Sequence, residues 1–331
     1  MSNSSRTSVQ AIPVSSRPSF GEIMQAARLP IAIVVTLVLF GLFEPRVLSV
    51  GNLRNIAVQA SYLAIFAMAQ TMVILTRGFD LSLGFTVSLV SVVASMAMVA
   101  MGGGGASIVF GIGAGVLVAA LIGLANGLII AGIGVNPLVT TLGMANIVMA
   151  FASTISGGFP VTGLPQSFTA IFAQFQILSI PAPVWIAGVI FGLLFFTLKA
   201  TRFGRSLYIV GANPKAAIAA GIRTVPVLVI AYGLCAVLTA LGALLLTART
   251  GSGEPNLGGN LTLEAIAAAV VGGVRLSGGE GGVGAALLGA LFITVLSNGM
   301  NLVHIDGYIQ QICLGVIIIV SLIVSRDDVR R

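Results

Sequence analysis

Apolar residues fill this chain in long blocks, separated by short stretches that collect glycine, proline and charge. A helix needs about 20 mostly apolar residues to cross a bilayer. Blocks of that kind fall at 29–43, 56–76, 81–101, 106–132, 137–156, 182–199, 224–247, 262–274, 282–299 and 307–325. The first and eighth are short. The pattern predicts an all-α polytopic membrane protein of about 10 transmembrane helices, organised as one membrane domain at 29–325. It is flanked by a tail at 1–28, its first 19 residues biased to Ser, Pro and Arg as disordered segments are, and a short tail at 326–331.

Composition agrees: 57% of residues are hydrophobic and 8% charged, with a mean hydropathy of +1.10. A soluble domain carries roughly 25% charged residues. The 42 glycines suit helices that approach closely in lipid. The net charge of +7 forms no cluster that would bind nucleic acid. It lies between the apolar blocks and reports orientation. With a cytoplasmic N-terminus, the inside segments hold Arg6, Arg17, Arg28, Arg77, Lys199, Arg202, Arg205, Lys215, Arg223, Arg275, Arg326, Arg330 and Arg331, leaving outside only Arg46, Arg54 and Arg249. Ten spans also return the C-terminus to the cytoplasm. The first block reads as a retained helix, not a removable signal. Cys235 and Cys313 lie within apolar runs and read as packing residues, and a metal site has no support.

Two connections are long. Residues 157–181 mix Gly, Pro and aromatics on the outside, as a loop lying along the membrane or receiving a partner would. Residues 199–223 carry five basic residues on the inside. Within the latter, ANPKAAIAAGI reads as one short helix: Asn213 as cap, Pro214 at the first turn, Lys215, Ala216, Ala217 and Ala220 along it, Gly221 closing it, and Ile222 following. Two turns of helix are not stable alone. Either it rests on its own membrane domain or it docks into a groove on a cytoplasmic partner.

The stretch TRGFDLSLG at 76–84 places Arg77 and Asp80 at an inside turn, where charge is cheap. Asp80, helped by Ser82, suits a helix cap and an ion pair with Arg77; a gate or partner contact running to Gly84 is the alternative. Glu264 reads as a charge at a helix N-terminus rather than a proton relay. Polar residues suited to a neutral solute's path are Gln70, Asn126, Asn136, Thr140, Thr141, Asn146, Asn298, Asn301 and Gln310, although each taken singly is better explained as tying helices together. Gly111 with Gly115, and Gly123 with Gly127, predict close helix contacts. RLSGG at 275–279 echoes DLSLG at 80–84, without a consistent repeat symmetry.

GRSLYIVGANPKAAIAAGI resembles the cytoplasmic coupling segment of the ribose/xylose/arabinose-type ABC importer permeases, the membrane subunits of bacterial sugar uptake systems. RGFDLSLG, ANGLIIAGIGVNPLVTTLGM and GGVRLSGGEGGVGAALLGAL resemble further stretches of that family, in order along residues 50–325. The resemblance implies an inner-membrane permease paired with itself or a similar chain, two ATPase subunits docked on the inside loops, and a periplasmic sugar-binding protein delivering solute. It implies a coupling role for residues 213–222 and no covalent chemistry. This chain has no Gly-x4-Gly-Lys-Ser/Thr phosphate loop, so ATP is expected in the partner and no cofactor here. LSGGE at 276–280 and GEGGVG at 279–284 mimic nucleotide motifs but fall in a turn between spans, where close packing explains them. The rival expectation is an ion-coupled secondary transporter of a small polar solute. An intramembrane enzyme would need a constellation around His304, and none is evident.

Overall fold

A computed structural model describes residues 20–327, so the predicted tail at 1–19 and the last residues of the C-terminal tail lie outside the described residues. The helices are α1 (Phe20–Phe43), α2 (Val50–Ile74), α3 (Leu83–Ala100), α4 (Gly105–Leu128), α5 (Pro137–Ser156), α6 (Gln166–Thr169), α7 (Ala182–Ala200), α8 (Arg202–Ala212), α9 (Pro214–Ala219), α10 (Thr224–Thr250), α11 (Leu261–Gly272), α12 (Val283–Leu302) and α13 (Gly307–Asp327). Among the described residues, seven are long and apolar enough to cross a bilayer: α2, α3, α4 with its π-helical extension to Ile133, α5, α7, α10 and α12. The apolar parts of α1, α11 and α13 are shorter, at Ala27–Phe43, Leu261–Gly272 and Gly307–Ser321. The boundary expected at 28/29 falls inside α1, which already begins at Phe20.

The central helix is α2, enclosed by α12, α10, α11 and α7, while α4 bridges α3 and α10. From Ala60 to Ile74 every residue of α2 is buried. Glycines set the tightest approaches. A Cβ on Gly111 would strike Met98 and the Ala94 carbonyl of α3, and one on Gly123 or Gly127 would strike α10 at Ala236 or Val229. The two glycine pairs of α4 thus serve different neighbours, one per pair.

Residues 251–260, GSGEPNLGGN, between two apolar blocks, do not turn at the end of the bundle but descend along α3. Backbone N–H groups buried against a helix need partners from the protein. Two serines one turn apart on α3 supply them: Ser91 Oγ accepts from the Glu254 N–H (3.1 Å), and Ser88 Oγ from the Gly258 N–H (3.0 Å). At the bottom, the Gly84 N–H donates to Thr262 Oγ1 (2.8 Å). The helix that follows, α11, therefore starts partway down the bundle, which is why the eighth apolar block is short.

The 157–181 connection is also anchored. Val161 and Gly253 exchange backbone hydrogen bonds of 2.8 and 2.9 Å, Phe168 of α6 is fully buried, and a two-stranded hairpin, β1 (Gln176–Ile177) with β2 (Ile180–Pro181), leads into α7.

Candidate functional site

The basic loop folds as two helices, not one. Thr201 caps α8 by accepting from the Gly204 N–H at 3.1 Å, and Leu207 and Val210 bury its inner face. This helix escaped the sequence reading, although Phe203, Leu207 and Val210 stand at helical spacing behind a threonine cap. The short helix α9 has the features expected of it: Asn213 Oδ1 accepts from the Lys215 and Ala216 N–H groups, both at 3.1 Å, and Gly221 is left-handed at φ 76°. Its two faces differ. Ala217 is fully buried against the bundle, whereas Lys215, Ala216 and Ala220 are exposed. Ala217 therefore seats the helix on its own membrane domain, and only the opposite face is free to meet another chain.

Three separated segments meet at this end. Arg77, at left-handed φ 65°, donates Nε to the Gly211 carbonyl and Nη2 to the Ala212 carbonyl. Those are orphan acceptors at the C-terminus of α8, and a guanidinium suits the negative end of a helix dipole. The expected Arg77–Asp80 pair is absent among the ion pairs of the described residues. The turn points Arg77 outward to α8 and Asp80 into the bundle, where it is 2% exposed. In return, the Gly279 N–H donates to the Leu75 carbonyl past the end of α2 (2.9 Å). Tyr208 of α8 donates its hydroxyl to the Gly281 carbonyl (2.8 Å), and burial raises its phenol, keeping it a neutral donor. Arg275 and Glu280 close the glycine turn at 2.7 Å. A Cβ on Gly211 would fall on the Leu75 carbonyl, and one on Gly279 on the Ala212 backbone. Gly278 and Gly279 are left-handed besides, at φ 76° and 74°. The LSGGE turn is a close-packing element wedged between the ends of α2 and α8.

Behind Arg77 the chain re-enters the bundle. Asp80 Oδ1 accepts from the Ser82 N–H (2.9 Å) and Ser82 Oγ (2.5 Å), and Asn126 of α4 donates to Ser82 Oγ (3.0 Å). Thr141 of α5 and Tyr232 of α10 both donate to the Phe79 carbonyl at 3.3 Å. Asp80 thus holds the turn that precedes α3 rather than bonding into that helix. Gly84 leaves room for the Gly258 carbonyl.

The polar residues singled out as a path do not line one. Asn126 and Thr141 belong to the knot just described. Asn136 caps α5 through the Leu138 N–H (2.9 Å), and Thr140 and Asn146 bond back to carbonyls of their own helix. Asn298 exchanges two amide hydrogen bonds with Asn52 of α2, 2.8 and 3.0 Å. Gln70 is fully buried, with both amide atoms unpaired. Asn301 and Gln310, bonded to each other at 2.8 Å, border one cavity together, at the opposite end of the bundle from Arg77. Short polar side chains on a helix find their own backbone first, and sequence spacing does not reveal this.

Residues 52–322 match the family described as the permease component of the branched-chain amino acid transport system. The chain belongs to this permease family. Its relatives include the ribose import permease protein RbsC of Escherichia coli K12, 35% identical over 299 residues, covering 89% of this chain and 92% of that one. The galactose/methyl galactoside import permease protein MglC of the same strain is 34% identical over 92% of this chain and 94% of its own. The autoinducer 2 import system permease protein LsrD of Enterobacter sp. strain 638 is 32% identical over 91% and 94%. No solved structure matches. As a permease component, this multi-pass membrane chain is a transport subunit rather than an enzyme, and it works as one part of a larger system.

Proposed function

We propose that this chain is the membrane subunit of an ATP-binding-cassette importer that carries a sugar or sugar-like solute across the bacterial inner membrane. The family description names amino acids, but the ribose and galactose import permeases cover nearly the whole chain, which favours a polyhydroxylated cargo. In this reading α1, α11 and α13 join the seven long helices to make ten passages within residues 29–325, with both tails and the Arg77 junction on the cytoplasmic side. The positive-inside distribution supports that orientation. A partner ATPase binds and hydrolyses ATP, a periplasmic binding protein delivers the solute, and two permease chains, identical or similar, flank the pathway within the lipid. This chain holds no cofactor.

The observation that carries the reading is the junction of α2, α8 and the glycine turn. The exposed face of α9 (Lys215, Ala216, Ala220) receives the ATPase, with Asn213, Pro214, Gly221 and Ile222 fixing the ends of that peg. Displacement of α8–α9 passes through Arg77 to the end of α2, the most enclosed helix of the bundle. The test is reconstitution of the permease with its ATPase and binding protein in liposomes. Uptake should require ATP hydrolysis and persist when a protonophore collapses the proton gradient. Uptake that survives a hydrolysis-dead ATPase but stops with the protonophore would assign the chain to ion-coupled transport instead.

A further inference from the structure

At the end opposite the Arg77 junction, the early start of α11 leaves a cavity of ≈ 340 Å³ between α2, α10, α11, α12 and α13. That volume lies within the roughly 300–1,000 Å³ typical of small-ligand sites. Its rim carries Asn301 and Arg249, both exposed, and its floor is apolar, at Leu63 and Ile293. Its walls carry Gln59 of α2 and Glu264 in the first turn of α11. The Glu264 carboxylate makes no ion pair among the described residues. Arg249 is occupied by stacking 5.5 Å from the centroid of the Tyr62 ring. One carboxylate, one guanidinium and several amides give a wall with no net charge but many donors and acceptors. That chemistry is complementary to a neutral molecule bearing several hydroxyl groups, because a carboxylate accepts two O–H groups while amides both donate and accept.

A second observation lies deeper. Gln59, Leu63, Phe66 and Gln70 stand at i, i+4, i+7 and i+11, on one face of α2. The cavity ends at Leu63, Phe66 is fully buried next, and Gln70 lies beyond it with an unpaired buried amide. An amide buried inside a bundle needs a hydrogen-bond partner, from the protein or from water.

We infer that this cavity is a transient, low-affinity site for a neutral polyhydroxylated five- or six-carbon solute, with Gln59 and Glu264 as its contacts. The inference rests on the importer reading for its biological sense, but its test does not need transport. In the assembled complex, Ser297, a half-buried wall residue, is replaced as Ser297→Cys with Cys313→Ser to remove the half-buried native thiol. Modification by a small hydrophilic methanethiosulfonate is then timed with D-ribose, D-galactose, xylitol or myo-inositol, and with glycine betaine as osmotic control. At about five times its dissociation constant a solute should slow labelling about sixfold. The same background with Glu264→Gln or Gln59→Leu should label at the unprotected rate whatever solute is present. No labelling of Ser297→Cys at all, no protection by any of the four solutes, equal protection by glycine betaine, or protection that survives both wall variants would each overturn the site. ATP-driven uptake by the unmodified complex is scored separately, so loss of the importer reading and loss of this site are read from different experiments.

Discussion

The two ends of the bundle are built by opposite rules. At the Arg77 end, three distant segments meet backbone against backbone, with glycine wherever a Cβ would collide and main-chain carbonyls as the acceptors. At the Glu264 end, the contacts are between side chains, as in the Asn52–Asn298 and Asn301–Gln310 pairs, and cavities of ≈ 300 and ≈ 340 Å³ remain on either side of Tyr62 and Arg249. Backbone-to-backbone contact leaves little freedom for the segments to shift separately, whereas paired side chains can rearrange one at a time. A cavity of ≈ 490 Å³ also borders Tyr208 and Gly281–Ala285 at the Arg77 end, so the contrast lies in how the segments are bonded, not in where space is left.

Substitution at the tight end should do the most damage. Gly278→Val puts a β-branched residue into left-handed backbone against Arg77, and the expected cost is on the order of 3 kcal/mol. Thermal unfolding of the purified subunit in detergent, with loss of the monodisperse peak, measures it; a stability equal to wild type would show that the junction has slack. Next comes Arg77→Gln in the reconstituted importer. It should lower uptake about tenfold while ATP hydrolysis stays within about twofold, a difference of roughly 1.4 kcal/mol in coupling. Arg77→Lys should recover part of it. A parallel fall in both activities would reduce Arg77 to a structural cap.

The faces of α9 separate docking from seating. Ala217→Glu buries a charge and should destabilise the subunit, whereas Ala220→Glu should leave its unfolding temperature unchanged and weaken ATPase binding roughly tenfold, about 1.4 kcal/mol. Co-purification with the ATPase, titrated against salt, distinguishes them. On the second turn of α3, Ser88→Ala strips the partner from the Gly258 N–H and should cost about 1–2 kcal/mol, seen as faster hydrogen exchange over 253–262. The smallest effect is expected from Asn213→Ala, which removes a cap worth about 1 kcal/mol and should be read by the same exchange experiment over 214–219.

Much of this was legible from the chain alone, and the exceptions share a cause. The apolar blocks mark the cores of α1–α5, α7 and α10–α13, and the Asn-Pro start and glycine stop of α9 are local signals that hold wherever the helix lies. The glycine pairs of α4 also show in the sequence, though not that one pair meets α3 and the other α10. What stayed hidden depends on contacts distant in sequence. Arg77 and Asp80 are three residues apart, yet they point to different neighbours because the turn between them is left-handed at Arg77. GSGEPNLGGN reads as an outer turn, and only the buried serines of α3, more than 150 residues earlier, reveal its descent. Gln59 and Glu264, the wall of the proposed solute site, drew less notice than the asparagines because neither falls in a conspicuous motif.

The cross-capping of α8 by Arg77 has a practical corollary for hybrid transporters. Grafting residues 199–223 from one permease into another moves a plug without its socket: the carbonyls at Gly211 and Ala212 arrive at a foreign arginine, and Gly211 meets a foreign Leu75 counterpart. Swaps meant to redirect a permease to a different ATPase should therefore exchange 75–84, 199–223 and 273–282 as one discontinuous cassette.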